Sequence, residues 1–131
     1  MGGGLVGAEA AVSFKHEGHD CSIIEMKPDV AMEVNSFYRG GLMVEVNKSA
    51  DIYVNTMVKE IVPEGVLVSK DGKEFVIQAD TVVCALGFRA PYDTVDHFCD
   101  LVDEYYIVGD CKNVGMIFQA TTDAHYAAMR I

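Results

Sequence analysis

Three glycines near the amino terminus have the spacing of a phosphate-binding turn. Gly2, Gly4 and Gly7 satisfy the pattern G-x-G-x-x-G, and a helical pattern begins at Leu5. In such turns the first glycine permits a tight bend, the second lets a diphosphate approach the backbone, and the third lets the helix pack closely on a sheet. The amides that begin the helix, those of Leu5 and Val6, then point toward the phosphates. These residues predict a site for a dinucleotide.

An acidic residue follows at the position where a ribose would be held. The run from Asp20 to Glu25 (DCSIIE) has the length and branching of a buried strand, and Glu25 lies 18 residues beyond Gly7. A carboxylate there can accept hydrogen bonds from both ribose hydroxyls and repels a 2′-phosphate, which favours NAD over NADP. Lys27 acts against that preference. The structural alternative is an ordinary strand-to-helix turn with Glu25 as a solvated strand end.

The elements that must position these residues alternate along the chain. Helical patterns are typical of residues 5–17, ended by Gly18, of 35–48 and of 117–131. Strand patterns cover 20–25, 51–56, the continuous apolar run TVVCAL at 81–86 and EYYIV at 104–108, while 88–104 is irregular. Between 57 and 79 three short runs separated by turn residues, including Asp71-Gly72, predict an antiparallel meander.

This order predicts an α/β fold: a Rossmann-like, three-layer nucleotide-binding domain with a parallel sheet, helices and an antiparallel β-meander. A glycine turn of this kind should follow a strand, yet only Met1 precedes Gly2, so the parallel sheet is expected to lack its first strand. Such a sheet has an exposed edge or a central gap, and exposed edges pair with other chains. We therefore expect a homodimer, or an exchanged strand, through that edge.

Composition excludes several classes of protein. Ten basic against twenty acidic residues give a net charge of −10, which argues against a nucleic-acid partner and against anionic lipid. No apolar run is long enough to span a membrane, and no secretory signal is seen. The four cysteines show no CxxC spacing, so no metal site is expected, and Cys21 and Cys84 are interpreted as buried, reduced thiols of a cytoplasmic protein.

Several segments together resemble a known family. GGGLVGAEAA, SIIEM, the meander, ADTVVCALGFRAP and YYIVGDC are similar, in this order, to the pyridine-nucleotide half of flavoproteins with two dinucleotide-binding domains. The resemblance is strongest to the C-terminal region of NADH:flavin oxidoreductases related to 2,4-dienoyl-CoA reductase and 2-enoate reductase. It implies an NAD(P)-binding domain over residues 1–90, followed at 91–131 by a C-terminal strand and helix of an FAD-binding domain.

Residue roles and further cofactors follow from this resemblance alone. It implies that Gly87 lies where the chain passes between the nicotinamide and flavin sites, and that Gly109 and Asp110 match the motif whose aspartate binds the ribityl chain of FAD. FMN and a 4Fe–4S cluster, with a β/α barrel and the first half of the FAD domain, belong to parts that this chain lacks. The chain is therefore expected to be a fragment that binds NAD.

The implied reaction passes hydride from NADH to FAD, and electrons onward to reduce an activated C=C bond of an enoate or a dienoyl-CoA. No acid or base is needed between the two rings, so no catalytic residue is nominated. The alternative function is a non-catalytic module that binds ADP or NAD for structure or assembly. The glycine turn and Glu25 suit both functions, whereas Gly87 and Asp110 favour the first.

Overall fold

The computed structural model describes all 131 residues, which divide into two compact units, Met1–Gly87 and Phe88–Ile131. The first unit holds two helices and five strands. They are α1 (Leu5–His16), β1 (Cys21–Ile24), α2 (Ser36–Ser49), β2 (Ala50–Tyr53), β3 (Met57–Val62), β4 (Gly65–Lys70) and β5 (Lys73–Gln78). The second holds α3 (Tyr92–Cys99), a 3-10 turn (Gly109–Cys111) and α4 (Ile117–Ala128).

The predicted helices and meander of the first unit are confirmed. Strands β1 and β2 pair in parallel, and β3, β4 and β5 form the antiparallel meander. The Asp71-Gly72 hairpin has positive φ at both residues, 51° and 75°, as a turn matched to the twist of the strands requires. Helix α2 begins after Asn35, whose side chain accepts a hydrogen bond from the amide of Phe37.

Three layers meet on the two faces of the β1–β2 pair. Ile23 packs into a cluster with the small helical residues Ala8 and Ala11 and with Val46 of α2. The next residue, Ile24, packs into a second cluster with Val66, Val68 and Ile77 of the meander. Neighbouring side chains of a strand point to opposite faces, so one dipeptide anchors both layers.

The run at 81–86 does not form the predicted central strand. No strand is present between β5 and α3. Two hydrogen bonds join this segment to Met1. The ammonium of Met1 donates to the carbonyl of Val83 at 2.6 Å, and the carbonyl of Met1 accepts from the amide of Ala85 at 2.8 Å. A strand exists only through a ladder with a neighbour, and residues 81–86 pair with none of the five strands. Consequently Cys84 is exposed and Cys21 half-buried, so the prediction of two buried thiols is wrong; all four cysteines are free.

The second unit differs from the prediction at two places. Residues 92–99, predicted as irregular, form helix α3, and residues 104–108, predicted as a strand, have no strand partner. The apolar residues of EYYIV are extended-strand formers, but β-structure needs a sheet to join. The final helix is confirmed, although it ends at Ala128. None of the helices in the chain has the length and apolarity to cross a membrane.

Candidate functional site

The glycine turn has the close packing that its spacing predicts. Gly2 has φ of +91°, and a Cβ at this residue would collide with the carbonyl of Ala85. A Cβ at Gly7 would collide with the carbonyl of Gly2, since the first turn of α1 lies directly on the bend. A side chain at Gly2 would displace the backbone at Ala85, and one at Gly7 would push helix α1 away from the turn, so both glycines are required sterically.

Glu25 lies directly beside this turn. Its Oε2 accepts a hydrogen bond from the amide of Gly3 at 2.7 Å, and its Oε1 accepts one from the amide of Lys27 at 2.8 Å. The backbone of Glu25 is also hydrogen-bonded: its amide donates to the carbonyl of Tyr53, and its carbonyl accepts from the amide of Thr56. The residue is 8% exposed, and its two hydrogen bonds fix the carboxylate at the end of β1 and next to the loop.

A second carboxylate, which the sequence did not mark, also reaches the turn. Oε1 of Glu33 accepts a hydrogen bond from the amide of Leu5 at 3.1 Å. The same oxygen lies 2.7 Å from the point where a Cβ of Gly4 would be. Glu33 belongs to an irregular loop without periodicity, so no sequence pattern could have assigned it to the glycine turn.

The loop between β1 and α2 holds Glu33 in this place. The amide of Ala31 donates to the carbonyl of Gly3 at 2.7 Å, and Ala31 adopts φ of 52° to do so. Arg39 of α2 donates to the carbonyl of Val30 through Nε at 3.1 Å and also pairs with Asp29. Val30 and Ala31 are almost fully buried in the cluster with Ile23, so this part of the loop is anchored to the core.

The donors that remain at the turn fit an anionic ligand. The amides of Gly4, Val6 and Gly7 donate no hydrogen bond within the protein, whereas that of Ala8 begins the helical ladder by donating to Gly4. Unpaired amides at a helix start carry partial positive charge. Each oxygen of Glu25 has one amide partner and keeps a lone pair for a hydroxyl. This donor and acceptor set fits the diphosphate and ribose of a dinucleotide.

A groove of about 650 Å³ runs beside the turn. It lies between β1 and residues 81–85, with Phe14 of α1 on one side and Val66 and Ile77 of the meander on the other. The amide of Gly2 donates to the carbonyl of Ile24 at 2.9 Å and so closes one end. Because NH and CO groups alternate in direction along a strand, those of Ser22 point into this groove and away from β2. On this side β1 has no strand partner.

Nearly the whole chain matches one known protein family. Residues 1–128 match the family described as pyridine nucleotide-disulphide oxidoreductase. The chain belongs to this family. Its members are flavoprotein oxidoreductases, and membership implies binding of FAD and NAD(P).

Individual members of the family align with the full chain. It is 33% identical to an NADH oxidase of Thermoanaerobacter brockii, covering 100% of this chain and 21% of that protein. It is 26% identical to a cinnamate reductase of Clostridium sporogenes, covering 100% of this chain and 20% of that protein. A solved 2-naphthoyl-CoA reductase superposes on 99% of this chain and 20% of its own, with a TM-score of 0.83 and 27% identity. The chain thus spans about a fifth of the length of these relatives.

The three site residues nominated in the later part of the chain are separate from the glycine turn in sequence. Gly87 ends the first unit; it is exposed, has φ of +86°, and no atom lies near where its Cβ would be. Gly109 and Asp110 belong to the second unit. Gly109 is buried with Ala120 of α4 3.1 Å from its Cβ position, and Oδ1 of Asp110 accepts from the amide of Gly115 at 3.1 Å. The side chain of Asp110 therefore closes the turn that leads into α4.

Proposed function

We propose that this chain is the NAD(H)-binding part of a multi-cofactor flavoprotein oxidoreductase that passes hydride from NADH to FAD and onward to an activated C=C bond. The observation that carries the proposal is the placement of Glu25 against the amide of Gly3, at 2.7 Å. This contact brings an acceptor for ribose hydroxyls to the loop that has unpaired amides for a diphosphate. The names cinnamate reductase and 2-naphthoyl-CoA reductase support an unsaturated acid or acyl-CoA as the acceptor class.

The residues of this chain hold and orient the cofactor. The amides of Gly4 and Val6 would bind the diphosphate, and Glu25 would bind the adenosine ribose. When bound, the nicotinamide supplies the hydride, and the protein contributes the alignment of the two rings. No acid or base side chain is assigned to that step.

The electrostatics at Glu25 favour NAD over NADP. Its carboxylate is nearly buried and fixed by two amides, so it cannot turn away from a 2′-phosphate. Two negative groups within hydrogen-bonding distance repel strongly where solvent is largely excluded. Lys27 is exposed and bound to the carboxylate only through its backbone amide, so its ammonium is free to remain in solvent.

The second unit is proposed to be part of an FAD-binding domain. The proposed boundary divides the chain into an NAD(P)-binding domain at residues 1–90 and the FAD-binding part at residues 91–131. Among the large apolar residues of this unit, Ile117, Phe118 and Met129 are 83%, 75% and 70% exposed. An apolar surface of that kind supports a covering domain. Gly109 and Asp110 would contact the ribityl chain of FAD, and Gly87 the passage between the rings. FMN and a 4Fe–4S cluster would belong to the rest of the longer protein, with its barrel.

The groove beside β1 is proposed as an interface between two copies of the chain. The groups of Ser22 that point into it can form a ladder with another extended segment. Its walls carry apolar side chains from α1 and the meander, which a strand could cover on both faces. Pairing of the two edges, or exchange of a strand, would complete the sheet.

Calorimetric titration with NADH, NADPH and ADP tests the proposed cofactor. NADH should bind more tightly than NADPH and ADP. Glu25→Arg should weaken NADH and strengthen NADPH, and Glu17→Gln, which removes a carboxylate at the other end of α1, should change neither. Thermal unfolding of each variant checks that it folds. NADH binding no tighter than ADP would support the alternative, a non-catalytic ADP- or NAD-binding module; unchanged preference in a folded Glu25→Arg would remove Glu25 from the site.

A further inference from the structure

One of the amides that are proposed to face the diphosphate, that of Leu5, already donates to a carboxylate of the chain itself. Oε1 of Glu33 lies 3.1 Å from the amide of Leu5 and 2.7 Å from the Cβ position of Gly4. The second glycine of this pattern leaves space for a phosphate oxygen, and here a carboxylate oxygen fills that space. Both groups are anions that accept hydrogen bonds from amides, so they compete for one place.

The loop that carries Glu33 is built to bring it there. Ala31, two residues earlier, is bonded to the carbonyl of Gly3, and Arg39 holds the carbonyl of Val30. The backbone on the amino-terminal side of Glu33 is thus fixed to the turn. The side chain of Glu33 is nevertheless exposed and has one hydrogen bond in the protein, so it can swing into solvent without disturbing the core.

We propose that Glu33 is a carboxylate gate, which occupies the phosphate position until a dinucleotide displaces it and which thereby sets the affinity for phosphate-bearing ligands. The proposal rests on the proposed dinucleotide site. Glu25 cannot have the same role, because it is buried, has two amide partners and lies on the ribose side. The gate therefore consists of one exposed side chain that competes with the diphosphate of the ligand.

Two ligands distinguish an effect of Glu33 on the diphosphate from a general effect on the binding site. ADP carries the diphosphate, and adenosine carries the same base and ribose without it. Glu33→Gln removes the charge and keeps the acceptor, Glu33→Ala removes both, and Glu17→Gln removes one charge from the opposite end of α1 as the matched control. Dissociation constants come from chemical-shift titrations of the labelled chain, and thermal unfolding confirms that each variant folds.

The gate predicts that both Glu33 variants bind ADP roughly threefold to tenfold more tightly, as expected for the loss of one like-charge contact near the surface. Adenosine should bind equally to all four proteins, and the gain for ADP should shrink in high salt. Unchanged or weaker ADP binding in the variants, or an equal gain for adenosine, would overturn the gate while leaving the site in place. Absence of ADP and NADH binding in every protein would instead reject the site, and the gate with it.

Discussion

The backbone amide of Gly3 donates a 2.7 Å hydrogen bond to Oε2 of Glu25, and this contact joins the glycine turn to the end of β1 across 22 residues of sequence. A group expected to hold a ribose therefore also shapes the loop expected to hold the diphosphate. Substitutions of Glu25 should consequently change both the stability of the fold and the affinity for a dinucleotide.

Removing the Glu25 carboxylate should destabilise the first unit. Glu25→Ala leaves the amides of Gly3 and Lys27 without their acceptor, and losing the partner of a buried amide costs about 1–3 kcal/mol. Urea unfolding followed by circular dichroism measures the loss. Glu64→Ala, in the exposed turn between β3 and β4, is the control and should change the free energy of unfolding little. Equal stability of the two variants would contradict the bonding of Glu25.

Two glycine substitutions should have opposite effects. Gly7→Ala places a methyl group against the carbonyl of Gly2 and should destabilise by about 1–3 kcal/mol. Gly41→Ala lies in α2 with no atom within 4 Å of its Cβ position, so it should stabilise by about 0.5–1 kcal/mol. Both are measured by denaturant unfolding. A tolerated alanine at position 7 would show that the helix does not lie on the bend as described.

The loop that carries Glu33 should lose stability in acid. The amide of Val30 and then the guanidinium of Arg39 hold the pKa of Asp29 below its ordinary value of 3.8. Because the folded pKa is the lower one, the contribution of the carboxylate is complete above about pH 3.8 and is lost as the pH falls through the folded pKa. The group is exposed, so the effect should stay below about 1 kcal/mol.

Asp29→Asn isolates this contribution. The difference in free energy of unfolding between the parent chain and Asp29→Asn should be constant near pH 6 and shrink toward zero as the pH falls below about 3.8. Asp20→Asn is the comparison, since the pKa of Asp20 is also lowered, but by Lys15 at the far end of α1. Only Asp29→Asn should also alter ADP affinity, because only that residue belongs to the loop of Glu33.

The open edge of β1 should govern self-association. Proline at Ser22 removes an N–H that points into the groove and spares the bonds to β2, so Ser22→Pro should lower the dimer fraction while the monomer still folds. Light scattering coupled to size-exclusion chromatography measures the mass. A matched test adds five β-branched residues before Met1, which should raise the melting temperature and reduce dimerisation; five Gly/Ser residues should do neither. A dimer unaffected by both Ser22→Pro and the β-branched extension would place the interface elsewhere.

Local signals in the sequence were sufficient for much of the first unit. Helix α1, the parallel pair β1–β2, the meander with its Asp71-Gly72 hairpin, and the nearness of Glu25 to the glycine turn all followed from periodicity, turn residues and motif spacing. The helix and the hairpin depend on backbone preferences and side-chain alternation over a few residues. The pairing of β1 with β2 and the approach of Glu25 to the turn were predicted from the order of elements and the motif spacing.

The tertiary structure decided what depends on neighbours distant in sequence. Residues 81–86 and 104–108 have the composition of strands, but neither has a strand to pair with, and pairing energy comes from the partner. Residues 92–99, which were predicted as irregular, form a helix. The contact of Glu33 with Leu5 arises from a loop whose path is fixed by Ala31 and Arg39, and no periodicity encodes such a path. Sequence therefore determined the glycine turn and the approach of Glu25 to it, while folding determined that Glu33 reaches the turn as well.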